Sequence, residues 1–75
     1  MKTKTMFGHK YTWHEELGLW SNEKEDGRPV LIFPPKGDRS SWWVLSPTAD
    51  NHIRLYGDDA EHRAFSIAAG FITQG

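Results

Sequence analysis

The chain has 75 residues, 9 basic and 10 acidic side chains, a net charge of −1 and no cysteine. That length fits one domain, and such a short chain buries only about 60% of its unfolded surface. Disulfides and thiolate zinc sites are excluded, and the basic excess of a dedicated duplex-binding protein is missing.

The first six residues, MKTKTM, read as a basic and partly ordered N-terminus. No apolar run of signal-peptide or membrane length follows them, so the expectation is a soluble, cytoplasmic protein with no membrane partner. The next segment, KYTWHEELGLW, has two readings. As a strand it places Tyr11, Trp13, Leu17 and Leu19 on one face. As a helix it places Trp13, Leu17 and Trp20 on one stripe, with Thr12 and Glu15 as a capping box. Gly18 and the aromatic density favour the strand. LGLWSN and PVLIF flank the charged stretch EKEDGR, whose Asp26-Gly27 suits a hairpin turn. The prolines of PPKGD end the second of these strands, because they cannot donate ladder hydrogen bonds. SWWVLS and HIRLY follow, joined by the polar turn PTADN.

The C-terminal segment GDDAEHRAFSIAAGFI carries Ala60, Ala64, Ile67, Ala68, Phe71 and Ile72 at helical spacing, with Phe65 at the edge of that stripe. Asp58 is a candidate N-cap with Glu61 three residues on. Gly70 either ends the helix or permits close packing. The fold class expected is α+β: an antiparallel sheet of four or five strands with one C-terminal amphipathic helix packed on one face.

The stretch LYGDDAEHRAFSIAAGF, a strand running through a short acidic turn into a terminal amphipathic helix, resembles small proteins of phages and mobile elements. Some of these are anti-CRISPR-type inhibitors, which act by binding a bacterial defence complex. The resemblance covers the last quarter of the chain and implies a binder or inhibitor; it transfers no individual residue.

A sheet with one helix has one covered and one open face, and a half-solvated strand should alternate apolar and polar residues. HIRLY does so, with Ile53 and Leu55 opposite His52, Arg54 and Tyr56. PVLIF and SWWVLS do not: Val30 and Ile32 oppose Leu31 and Phe33, and Trp42 and Val44 oppose Trp43 and Leu45. An exposed Trp with two aliphatic neighbours makes an apolar patch of roughly several hundred Å², the size that marks interaction sites. Either the N-terminal segment, with Phe7, Tyr11 and Trp13, folds over that face, or a partner does. A partner there would be a protein, a protein–nucleic-acid complex or a second copy of the chain. The candidate partner-binding residues are Trp43, Arg54, Tyr56, Trp42 and Trp20, with Trp43 preferred as the outward member of the pair. Under the alternative of a nucleic-acid-binding module, Lys4, Lys10 and Tyr11 join them, as basic residues interleaved with stacking aromatics.

Motifs for chemistry are weak. His9 and His14 are five apart, not the four of a zincin helix. Capping and dipole effects explain most of the Asp58, Asp59, Glu61 and His62 cluster. Ser40 and Ser41 form no nucleophile elbow, and PPKGDRSS is no phosphate-binding loop. The expectation is a non-enzymatic binding protein without cofactor or metal.

Overall fold

The computed structural model describes residues 2–22, 29–38, 40–46 and 52–74. Six strands are followed by one helix: β1 (Thr3–Met6), β2 (His9–His14), β3 (Leu19–Ser21), β4 (Leu31–Phe33), β5 (Trp42–Leu45), β6 (His52–Leu55) and α1 (Ala60–Gln74). The sheet is antiparallel throughout and its spatial order is the chain order. The fold is therefore α+β as expected, with six strands rather than four or five. The turns expected at Asp26-Gly27 and in PTADN lie outside the described residues.

The additional strand is β1, within the segment expected to be partly ordered. It pairs with β2 from Thr3↔Thr12 to Met6↔His9, and the two-residue connection is Phe7 (φ 52) and Gly8 (φ 80). Positive φ at both central residues matches the right-handed twist of a hairpin. In the second hairpin, residues 15–18 connect His14 to its partner Leu19. The His14 carbonyl accepts from the N–H groups of Leu17 and Gly18 at 3.1 and 2.7 Å. KYTWHEELGLW is thus two strands around a turn. Reversal at the turn puts Leu19 on the face opposite Trp13, contrary to the continuous-strand reading, and sets Trp13 directly across from Trp20.

Cross-strand partners share a face, so the register sorts the whole sheet. One face holds Lys4, Met6, Tyr11, Trp13, Trp20, Ile32, Val44, Trp42, Ile53 and Leu55. The helix lies here. Its Ala60, Ala64, Phe65 and Ala68 join Tyr11, Trp20, Val30, Ile32, Val44 and Leu55 in one buried cluster. Three alanines on the inner stripe let the helix approach the sheet closely. Phe65 sits at the centre of this core rather than at the edge of the stripe: it is fully buried, with its ring 5.0 Å from Tyr11 and 6.3 Å from both Trp20 and Trp42. The helix packs mainly on β4, β5 and β6, and the Tyr11 ring of β2 and the Trp20 ring of β3 reach Phe65 as well.

The helix start is shifted by one residue from the expectation. Arg63 N–H donates to the Asp59 carbonyl at 3.0 Å, which makes Asp59 the N-cap. Glu61 is then not the third residue of a capping box; its carboxylate meets Lys4 Nζ at 2.6 Å. Gly70 neither ends the helix, which continues to Gln74, nor packs closely, since a Cβ there would meet nothing within 4 Å.

Candidate functional site

The face opposite the helix carries Thr3, Thr5, Lys10, Thr12, His14, Leu19, Ser21, Leu31, Phe33, Trp43, Leu45, His52 and Arg54. On β4 to β6 the register aligns them in two ranks. Phe33, Trp43 and Arg54 are successive cross-strand partners, and so are Leu31, Leu45 and His52. Leu31, Phe33, Trp43 and Leu45 are half-buried, while His52 and Arg54 are exposed. Phe33, Trp43, Leu45 and His52, with Val44, line a shallow hollow of about 270 Å³.

Trp43 is held in place from two sides. Its indole Nε1 donates to Ser41 Oγ at 2.7 Å, and the Arg54 guanidinium lies 4.9 Å from its ring centroid. A guanidinium over an indole is held by cation–π attraction, which does not use its N–H donors, so these can serve a carboxylate or phosphate. The strand positions of this face include Lys10 and Arg54 and no acidic residue. Tyr56, one residue past β6, is 62% exposed.

The structure gathers some of the expected binding residues and separates others. Trp43 and Arg54 stand together on the open face, which places Trp43 outward. Trp42 turns to the helix side against Phe65, and Trp20 is buried there, 7% exposed, beside Trp13; neither reaches Trp43's face. The nucleic-acid set does not assemble either. Tyr11 is fully buried, so no base can stack on it. Lys4 lies on the helix side, tied to Glu61, and Lys10 on the other. Tyr11 and Trp13 point into the helix-side core, so the N-terminal segment does not cover the open face. Phe33, Leu31 and Leu45 are patch residues that the sequence reading named as apolar but not as a site. Their signal was the alternation that PVLIF and SWWVLS lack.

Two polar features lie away from the patch. His14 Nε2 and Ser21 Oγ are 2.6 Å apart, but Ser21 is only 5% exposed, which makes the pair an internal hydrogen bond rather than an accessible nucleophile and base. The Tyr11 hydroxyl is buried with no hydrogen-bond partner among the described residues, and burial pushes its pKa up to about 12. Among the described residues there is no cluster of metal-ligating side chains, and no helix is long and apolar enough to cross a membrane. Comparison with protein-family models, with curated proteins and with solved structures gave no match.

Proposed function

We propose that this protein is a non-enzymatic binding module that docks a macromolecular partner on the open sheet face, with Trp43 as the anchor and Arg54 as the polar contact beside it. The observation that carries this reading is the cross-strand rank Phe33–Trp43–Arg54 lying on a face that the helix does not cover. Aromatic and arginine side chains supply most of the energy at the centre of protein interfaces. The partner that fits is a protein with an apolar centre and acidic groups around it, because the strand positions of this face offer cations and no carboxylate. The second rank, Leu31 and Leu45, favours protein over nucleic acid, since bases stack on aromatic rings rather than on aliphatic chains. The most specific form of the reading, an inhibitor of a bacterial defence complex, is supported by the resemblance of the C-terminal quarter to phage-type binders.

The test compares captured partners of the wild-type chain with those of Trp43→Ala, Arg54→Glu and, as a helix control, Arg63→Glu. A specific partner held by wild type and Arg63→Glu and lost by both face variants supports the proposal. Retention by all four chains overturns it, as does a stable dimer in solution that Trp43→Ala dissolves. Binding of single-stranded oligonucleotide with Trp quenching and steep salt dependence moves the assignment to nucleic acid.

A further inference from the structure

The helix side of the sheet has a second cleft, unconnected with the open-face patch. Lys2, Lys4, Trp13, Trp20, Pro34, Trp42 and Glu61 line a hollow of about 300 Å³. Three of the protein's four tryptophans therefore converge where β1 closes toward the first turn of the helix. Trp13 and Trp20 are neighbours at 5.1 Å between ring centroids. The Lys2 ammonium lies 6.0 Å from Trp13 and 5.8 Å from Trp20, and that of Lys4 lies 5.7 Å from Trp20 and 4.8 Å from Phe65. Lys2 is not a loose end, because its carbonyl accepts from Trp13 N–H at 2.9 Å and extends the β1–β2 ladder.

The charges in this cleft do not balance. Lys4 is matched by Glu61 at 2.6 Å, while Lys2 has no carboxylate partner among the described residues. One uncompensated ammonium thus stands over aromatic walls. A flat ring would be held by the indoles, and an anion attached to that ring would be held by Lys2. Lys4 retains donors beyond the one it gives to Glu61 Oε1. The second carboxylate oxygen of half-exposed Glu61 is placed to accept from a hydroxyl or amino group of the same molecule. The volume is at the lower end for small-molecule sites, about 300–1,000 Å³, which is enough for one nucleotide.

We infer that this cleft is a binding site for a purine nucleoside monophosphate. The base lies against the half-buried Trp13 and Trp42 rings, with buried Trp20 beneath them, displacing the lysine ends from the rings, and the phosphate takes Lys2 and Lys4. The inference stands apart from the open-face reading, because the two sites share no side chain.

The probe is adenosine 5′-monophosphate, followed through the four indole N–H signals of isotopically labelled protein, with adenosine and inorganic phosphate as separate arms. The expected result is saturable movement of the Trp13, Trp20 and Trp42 signals with Trp43 unmoved, and binding of adenosine at least about tenfold weaker for want of the charge-assisted contacts. Lys2→Ala weakens the nucleotide by about tenfold or more, and Lys10→Ala, on the other face, does not. Lys2 is exposed and its structural bond is through the backbone, so the variant keeps the fold, which the spectrum itself checks. No indole movement at millimolar nucleotide overturns the inference. So does movement confined to Trp43, equal affinity for adenosine and its phosphate, or a Lys2→Ala chain that binds like wild type.

Discussion

Replacing each member of the Trp42–Trp43 pair by alanine separates the two faces of the sheet. Trp42 lies opposite Leu55, and its ring is 6.3 Å from that of Phe65. Truncating a core Trp to Ala costs about 3–5 kcal/mol, and the lower end applies because Trp42 is only half-buried. A domain of this length has a total stability of roughly 4–11 kcal/mol, so Trp42→Ala removes a quarter or more of it. At about 4–8 °C per kcal/mol for a small domain, the melting midpoint should fall by about 12–24 °C. Trp43 loses different things: its cross-strand pairing with Phe33, the Arg54 contact at 4.9 Å and the hydrogen bond to Ser41 at 2.7 Å. The first two are worth about 0.5–1 kcal/mol each and the hydrogen bond about 0.5–1.5 kcal/mol, so Trp43→Ala should cost about 1.5–3.5 kcal/mol, no more than Trp42→Ala, and leave a folded chain. Urea unfolding reads both losses as midpoint shifts at unchanged slope. Partner capture should then fail for Trp43→Ala under conditions where the variant is folded. If Trp43→Ala unfolds more readily than Trp42→Ala, Trp43 is covered within the monomer and the open-face reasoning is refuted.

Three further perturbations test local arguments. Tyr11→Phe deletes a buried hydroxyl that has no partner among the described residues, so stability at neutral pH should hold or rise by up to about 1 kcal/mol; a loss beyond about 1 kcal/mol in urea unfolding would reveal a hydrogen bond to that hydroxyl. The same group governs alkaline behaviour. Its pKa is raised from 10.0 to about 12 in the fold by burial, so its contribution is complete below pH 10 and is lost as pH climbs through 12; wild type should weaken across that window more than Tyr11→Phe does. Gly70→Ala, at an exposed helical position where a Cβ meets nothing within 4 Å, should stabilise by about 0.5–1 kcal/mol, and a lower melting temperature would show that Gly70 is not simply a flexible residue in an open position. Phe7 is held at φ 52, a conformation that costs a non-glycine residue about 1–2 kcal/mol and that Asn adopts more readily. Phe7→Asn should therefore melt no lower than wild type, despite losing the edge contact with His62 at 5.2 Å; a clear drop would mean that this contact outweighs the strain.

The parts of the fold that could be read from sequence are those with strong periodicity. The helical stripe from Ala60 to Ile72 and the alternation of HIRLY specified their elements because each buries one face only. β1 escaped for two reasons. Thr3–Met6 is a short edge strand of threonine, lysine and methionine, and such strands need no apolar alternation and are protected by charge. Its turn is Phe-Gly where Asn-Gly would have announced a hairpin. The central place of Phe65 was also out of reach. It depends on Tyr11 and Trp20 reaching its ring from β2 and β3, which follows from how the strands pair and cannot be read from the helical stripe. Half the candidate site was legible. Trp43 and Arg54 meet because parity places them on one face, but parity cannot carry across a turn of unknown length, and Trp20, a candidate binding residue, lies buried on the helix side.

The open face contains its own standard of comparison. On β1 to β3 its strand positions are Thr3, Thr5, Lys10, Thr12, His14, Leu19 and Ser21. This composition is mostly polar and β-branched; Thr3, Thr5 and Lys10 are open to solvent, while Thr12, Leu19 and Ser21 are buried at 5–6% exposed. On β4 and β5 the same face changes abruptly to Leu31, Phe33, Trp43 and Leu45. The core explains none of these four, because the helix lies on the other side and is already supplied by Ile32, Val44 and Trp42. A threonine at Trp43 would satisfy the pleat as well as the threonines of β1 and β2 do. The half-buried indole there, with an arginine 4.9 Å from its ring centroid, is the feature on which the proposed partner contact rests. The same reasoning explains why the pair is two tryptophans and not one: Trp42 closes the core around Phe65, and Trp43, one residue on, faces the opposite way by the geometry of the strand alone.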